Sequence, residues 1–280
     1  MVNIYEAGPF EGRAEQWPVL AVSGALEVRL AETDHEVEQA QRLRYNVFYQ
    51  EMSAIPSPQM RDAGRDFDKY DDVCDHLLVV DREAHGEDGQ PLVVATYRLT
   101  REQDALRAGG FYTAGEYQLA PMLQGAPKGT AFLELGRSCV LKSYRSRPGT
   151  MQLLWKGLMA YVARFDIDLM FGCASLSGTD VEQLSLPLSY LRHFHAMPEH
   201  LRVTARPELF VEMNAIAKEA IEPREGLRSL PPLLKGYVRA GCCIGDGAVI
   251  DRQFGTTDVF IYFPLSGIDA RSKSRFGLVK

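Results

Sequence analysis

The sequence predicts an α/β fold in which a mixed central sheet is flanked by helices. The main observation is the order strand, basic turn and helix between residues 131 and 165. An apolar run of strand length follows at 168–176, and two strands joined through a helix are expected to be parallel neighbours. Strands at 76–81 and 91–100 are joined by AHGEDGQ, whose glycines and polar residues predict a hairpin.

Composition is typical of a soluble globular protein. The chain has 280 residues, of which 46% are hydrophobic and 24% charged. Its net charge of -6 argues against a general nucleic-acid binder, which needs an excess of Lys and Arg. No apolar run approaches the roughly 18 residues of a membrane span, and no signal peptide pattern opens the chain, so we expect a cytoplasmic protein. The five cysteines lack C-x-x-C spacing and indicate reduced thiols.

The domain boundaries follow from shifts in composition. Residues 1–24 are rich in Gly, Pro and charge and are expected to form an N-terminal extension, and 25–268 form one α/β domain with a C-terminal elaboration. The basic tail, 269–280, carries Arg271, Lys273, Arg275, Phe276, Leu278 and Lys280. Two interpretations of the tail stay open: a loose peripheral contact with the inner membrane, or a terminal segment without function.

The first predicted elements are a strand at 26–32 and a helix that Asp34 can cap and that ends near Met52. Arg44 falls within the apolar stripe of this helix. It must therefore either reach solvent at an edge or meet a carboxylate brought from elsewhere.

Five aspartates crowd into the segment DFDKYDDVCD that precedes the hairpin: Asp66, Asp68, Asp71, Asp72 and Asp75. This crowding is compatible with a solvated acidic turn or with a pocket for a cationic group. Arg98 is the charged residue of the second hairpin strand, and it either points to solvent or lies in a polar cleft.

The central strand, Ala131 to Leu141, is apolar and β-prone but contains Glu134 and Arg137, which indicates a chemical role for them. We expect a bulge at Gly136. An extra residue there would turn Arg137 to the side of Glu134 and separate the strand from its neighbour, which opens a slot between them. Beyond the strand, a basic turn leads into the N-terminus of an amphipathic helix, a suitable place for a phosphate or another anionic carrier group.

The C-terminal part is predicted from shorter signals. Thr179 and Glu182 have capping-box spacing and predict a helix that begins there. PPLLKGYVRAG predicts a short helix beginning at a proline, and CCIGDGAVID and DVFIYFPL predict two late strands. His193, His195 and His200 do not predict a metal site, because residues two apart do not share a helical face and no carboxylate or Cys completes the set.

Four motifs, in order along the chain, carry a resemblance: RYNVF at 44–48, DKYD at 68–71, TYRL at 96–99 and ELGR at 134–137. With them the chain resembles the acyl-homoserine lactone synthases and, more closely, the bacterial ornithine N-acyltransferases of the Gcn5-related N-acyltransferase (GNAT) superfamily. The resemblance covers roughly residues 25–264. It implies a GNAT fold and transfer of a long, 3-hydroxylated acyl chain from acyl carrier protein to the α-amine of ornithine, which gives a lyso-ornithine lipid.

Site residues are assigned from the motifs and from the basic turn. The expected substrate-binding residues are Arg44, Asp68, Asp71, Arg98 and Arg137. The expected donor-binding residues are Lys142, Arg145, Arg147, Gly149 and Thr150. The superfamily's pyrophosphate loop usually reads Q/R-x-x-G-x-G/A, whereas residues 145–150 read RSRPGT. This departure argues against tight binding of coenzyme A and favours the phosphopantetheine of an acyl carrier protein, with no tightly bound cofactor.

The chemistry requires an amine that has lost a proton, and α-amines have a pKa near 8. Glu134 is the predicted general base, because its apolar neighbours would raise its pKa toward a useful range. Other outcomes stay open: the same reaction on glutamine or another amino acid, acyl-homoserine lactone synthesis from S-adenosylmethionine, or a non-catalytic acyl-carrier-binding protein.

Overall fold

The computed structural model describes residues 19–147 and 149–267. Within them, ten strands form the sheet: β1 (Ala21–Ser23), β2 (Leu26–Leu30), β3 (Asp75–His85), β4 (Pro91–Arg101), β5 (Tyr117–Gln118), β6 (Phe132–Val140), β7 (Leu169–Ser177), β8 (Thr204–Ala205), β9 (Cys243–Asp251) and β10 (Thr256–Pro264). The helices are α1 (Asp34–Tyr45), α2 (Pro58–Ala63), α3 (Glu102–Arg107), α4 (Ala120–Gly125), α5 (Lys142–Arg145), α6 (Thr150–Arg164), α7 (Ser185–Phe194), α8 (Pro223–Ser229) and α9 (Pro232–Arg239).

The strands lie in the order β1-β2-β3-β4-β6-β7-β10-β9-β8-β5. β3 and β4 form the predicted antiparallel hairpin, and β6 and β7 are the predicted parallel neighbours joined through α6. The late strands β9 and β10 pair antiparallel, and β10 closes against β7. The predicted mixed sheet is therefore confirmed.

The sheet opens between β6 and β7. Their pairing stops with Glu134 opposite Phe171, although β6 continues to Val140 and β7 to Ser177. We call the space between these diverging strand ends the fork. Its cause is the predicted bulge, because Tyr97 alone on β4 lies opposite Arg137 and Ser138 on β6, and Arg137 adopts a left-handed φ of 52°.

The base of the fork depends on a glycine. A Cβ at Gly172 would lie 2.3 Å from the carbonyl oxygen of Leu135, so only glycine lets β7 approach β6 this closely.

The two faces of the sheet carry different layers. One face packs its apolar side chains, such as Leu99 and Leu133, into the large core that also contains α6. On the other face α1 packs on Leu78, and a separate aromatic cluster contains Phe171. Since side chains alternate along a strand, Arg98 and Glu134 point to this second face.

Two helix starts differ from expectation. The N-cap of α1 is Thr33 rather than Asp34, and the helix continues as a π-helical turn, Asn46–Glu51. The helix expected at Thr179 begins only at Ser185. The Asp180 carboxylate accepts the Glu182 N–H in a turn, and the late start keeps Pro187 within the first helical turn, where its missing N–H costs nothing.

The ends of the chain leave part of the domain division untested. The basic tail, 269–280, lies outside the described residues, so its membrane contact stays a prediction. β1 shows that residues 21–23, which composition assigns to the extension, pair with β2. No helix among the described residues is long and apolar enough to cross a membrane.

Candidate active site

Six charged side chains on the α1 face form one arginine–aspartate network: Arg44, Arg98, Arg137, Asp66, Asp68 and Asp71. Three positive and three negative charges alternate in it. The network therefore balances its own charge while it ties α1, β4 and β6 to the acidic segment.

Arg44 is completely buried, which decides between the two interpretations of its place in the α1 stripe. Its Nε lies 2.8 Å from Asp66 Oδ2, and its Nη2 lies 2.8 Å from Asp71 Oδ1. The carboxylates come from the acidic segment. Burial of this charge is tolerable only because both partners are present.

Arg98 lies in the polar cleft rather than in solvent, with 3% of its surface exposed. Its Nη1 donates to Asp68 Oδ1 at 2.7 Å, and its guanidinium lies over the rings of Tyr70 and Tyr112. Asp66, which the sequence analysis left out of the site, is 1% exposed. The acidic segment DFDKYDDVCD therefore forms a pocket for guanidinium groups.

Arg137 lies in the β6 bulge and completes the arginine–aspartate network. Its Nε lies 3.2 Å from Asp66 Oδ2 and its Nη2 3.3 Å from Asp68 Oδ2. Burial alone would lower its pKa, but Tyr112, Asp66 and Asp68 outweigh burial and raise the pKa. Burial would likewise raise the pKa of Asp68, but Arg98 and Arg137 outweigh it and lower the pKa. Both groups therefore stay ionised.

His76 is buried against the network. Burial and the neighbouring Arg44 lower its pKa to about 4, so the imidazole is neutral near pH 7. His76, Cys74 and Asp71 bring ligand atoms within 4.8 Å of one another. Because Asp71 already pairs with Arg44, whose charge repels a cation, we do not interpret this group as a metal site. The histidines weighed in the sequence have other partners: His193 contacts the Ile216 carbonyl and His195 the Tyr190 hydroxyl.

Glu134 lies beside the network at the last β6–β7 pair and is 3% exposed. Its Oε1 accepts the backbone N–H of Thr113 at 2.7 Å, and its Oε2 accepts that of Tyr112 at 3.0 Å. Burial raises its pKa while these hydrogen bonds oppose the rise. Both of its oxygens thus hold the short turn that spans Tyr112–Gly115.

Glu116, the residue directly after this turn, is a second carboxylate that the sequence analysis missed. Cys173 on β7 donates its thiol to Glu116 Oε2 at 3.4 Å, and the carboxylates of Asp251 and Asp258 lie within 4.8 Å. Burial, and then the charge of Asp258, raise the pKa of Glu116 to about 7. Residues 102–130 lack a periodic pattern, so only the fold reveals this group.

The predicted donor-binding residues follow β6, from the start of α5 to the first residue of α6. Lys142 is exposed, Arg145 pairs with Glu51, and Arg147 lies 3.3 Å from Asp81. Gly149, with a φ of 95°, immediately precedes α6. Thr150 is fully buried, backbone and side chain alike. Pro148 lies outside the described residues.

Comparison with known proteins places the chain among acyltransferases. A family model for an acetyltransferase (GNAT) domain matches residues 43–156. The chain is 45% identical over 259 residues to an L-ornithine N(alpha)-acyltransferase of Rhizobium meliloti (strain 1021), covering 92% of this chain and 86% of the relative. A protein of the same name from Agrobacterium fabrum (strain C58 / ATCC 33970) is 45% identical over 255 residues, covering 91% and 86%. A solved CoA-dependent acyl-homoserine lactone synthase with SAM and isopentyl-CoA aligns over 87% of this chain and 83% of its own, with a TM-score of 0.46 and 15% identity.

The domain match begins in α1 and ends in α6. It therefore contains the arginine–aspartate network, Glu134 and the predicted donor-binding residues, and it confirms the expected GNAT fold. Identity to the two relatives extends well beyond this domain, over at least 91% of the chain. The chain belongs to the family of these L-ornithine N(alpha)-acyltransferases and is an N-acyltransferase.

Proposed function

We propose that this protein transfers an acyl chain from acyl carrier protein to the α-amine of L-ornithine and so forms a lyso-ornithine lipid. The observation that carries the proposal is the 45% identity, over more than nine-tenths of the chain, to proteins named for this acceptor. The acyl carrier protein as donor, and a long 3-hydroxylated chain, rest on the motif resemblance.

The fork supports a thioester donor. Beyond Glu134, β6 still pairs with β4 but has no ladder partner on β7, so its N–H groups on the β7 side can face a thioester oxyanion. The first turn of α6 follows directly, and its backbone N–H groups suit the phosphate of a phosphopantetheine arm. Exposed Lys142 adds a positive charge for an acidic carrier protein.

A buried carboxylate at the fork takes up the proton of the amine in this proposal, which removes the need for a covalent intermediate. Glu134 stays the carboxylate that the sequence predicts for this role. Its variant Glu134→Gln should keep the fold and lose on the order of 10²-fold in turnover.

The test is a reconstituted reaction. Purified protein receives either 3-hydroxyacyl carrier protein or the matching acyl-coenzyme A, with ornithine, glutamine, lysine or S-adenosylmethionine as acceptor. Mass spectrometry should show acyl-ornithine from the carrier-bound donor, with fragment ions that place the acyl group on the α-nitrogen. Acylation of glutamine in preference to ornithine, formation of a homoserine lactone, or absence of turnover would each contradict the proposal.

A further inference from the structure

Glu134 is poorly disposed to accept a proton. Each of its two oxygens already accepts a backbone N–H from the turn. A proton added to either oxygen would turn an acceptor into a donor and would compete with one of these buried hydrogen bonds. The geometry is that of a carboxylate that holds a loop in place.

Glu116 instead lies against the β7 arm of the fork. Its carboxylate contacts Cys173, two residues beyond the last β6–β7 pair at Phe171. Arg137, on the opposite arm of the fork, is close enough to act on its charge. Glu116 Oε1 has no hydrogen-bond partner among the described residues.

The backbone of Glu116 is fixed from two sides. Its N–H donates to the Thr113 carbonyl at 3.1 Å, and its carbonyl accepts the N–H of Arg206 at 2.8 Å. Arg206 Nε also donates to the Ala114 carbonyl at 2.8 Å. Because Glu134 holds the N–H groups that open the same turn, the position of Glu116 depends on Glu134.

We propose that Glu116 is the group that accepts the proton of the attacking amine, and that Glu134 is the positioning residue that sets Glu116 at the fork. The inference rests on the proposed N-acyl transfer and deepens it.

The surroundings of Glu116 fit this role. The titratable or charged groups that act on it are Tyr112, Tyr117, Arg137, Cys173, Asp251 and Asp258. Burial and the two aspartates raise its pKa to about 7, whereas the Cys173 hydrogen bond and Arg137 lower it. A carboxyl group of that pKa is close to the pKa of an α-amine, near 8, so the proton moves between them at little cost.

The step balances as follows. The substrate ammonium gives one proton to the Glu116 carboxylate, and the neutral nitrogen attacks the thioester carbonyl carbon. The new N–C bond forms as the C–S bond breaks, and the second proton of the nitrogen goes to the departing thiolate. Glu116 then releases its proton to solvent, so the products are the amide, the pantetheine thiol and one proton.

The test compares Glu116→Gln, Glu134→Gln and the control Glu87→Gln, an exposed glutamate of the β3–β4 hairpin. We expect kcat of Glu116→Gln at pH 7 to fall roughly 10²-fold or more. The wild-type kcat should rise with pH through about 7 and then level off. This rise of kcat with pH should disappear in Glu116→Gln, whereas Glu134→Gln should keep it at a lower kcat. In alanine variants, added formate should restore turnover at position 116 and not at position 134.

Two outcomes would overturn the assignment. The rise of kcat near pH 7 could persist in Glu116→Gln, or Glu116→Gln could change only KM for the amino acid. A titration that needs no turnover separates this inference from the proposed function. In protein labelled with carboxyl-¹³C glutamate, one signal should titrate near pH 7 and vanish in Glu116→Gln, and its absence from the wild type would also overturn the assignment. If the wild type acylates another amino acid, only the proposed acceptor fails, and the kinetic comparison is made on that substrate.

Discussion

At the scale of single residues, Asp66 is the carboxylate on which the arginine–aspartate network depends. One of its oxygens, Oδ2, lies 2.8 Å from Arg44 Nε and 3.2 Å from Arg137 Nε. Tyr49 donates its hydroxyl to the other oxygen at 2.9 Å. Asp66 therefore links α1 to the bulge of β6 and compensates two buried positive charges.

Asp66→Asn should destabilise the protein by about 3–5 kcal/mol, because it leaves two buried guanidinium groups short of negative charge. Urea unfolding at pH 7 measures this loss. The matched control is Asp72→Asn, an exposed aspartate of the same segment, which should stay within about 0.5 kcal/mol of the wild type. Equal effects of the two substitutions would show that the network does not stabilise the fold.

The buried imidazole of His76 makes the stability pH-dependent. Its folded pKa of about 4 lies below the ordinary 6.5, so its contribution is present above pH 6.5 and is lost as the pH falls toward 4. Between pH 7 and pH 5 the wild type should therefore lose up to about 2 kcal/mol more than His76→Gln. Urea unfolding at the two pH values tests this, with exposed His200→Gln as the control that should follow the wild type.

At the scale of elements, the fork is made by one extra residue in β6 and one missing side chain in β7. The bulge turns Arg137 toward the aspartates, and Gly172 lets the paired ends of the two strands meet. The slot is therefore a property of strand pairing.

Gly172→Ala should damage both stability and turnover, since its methyl group would meet a backbone oxygen at 2.3 Å that no rotamer can move. We expect a loss of roughly 2 kcal/mol or more in unfolding free energy. Gly236→Ala is the control, because nothing lies within 4 Å of its added methyl in α9 and helix propensity predicts a gain of about 0.5–1 kcal/mol. A Gly172→Ala protein with wild-type stability and kcat would show that the strands can separate further at no cost.

At the scale of the whole molecule, charge is distributed unevenly. The chain carries a net charge of -6, which repels an acidic carrier protein at long range. Arg145 and Arg147 are partly neutralised by Glu51 and Asp81. In the proposed reaction, an acidic carrier protein would therefore dock on local positive charge, and exposed Lys142 provides such charge next to α6.

Lys142→Glu should raise KM for acyl carrier protein several-fold and leave KM for the amino acid unchanged, with an effect that weakens as salt rises. Steady-state kinetics at two ionic strengths would measure it. Lys128→Glu is the control, since this exposed lysine precedes the opposite end of β6 and changes the net charge equally. Equal effects of the two variants would mean that the carrier senses only the total charge.

Sequence alone predicted the β3–β4 hairpin and the parallel β6–β7 pair, because local periodicity marks each strand and the β-α-β connection restricts topology. The pairings of β4 with β6 and of β7 with β10 came only from the tertiary structure. The sequence also indicated the bulge, since an isolated glycine next to a charged residue in an apolar strand is typical of one. Tertiary structure decided which carboxylates meet which arginines, and it placed Glu116 at the fork. Those contacts join residues far apart in the chain, and the turn before Glu116 has no periodicity of its own, because Glu134 and Arg206 hold it from outside.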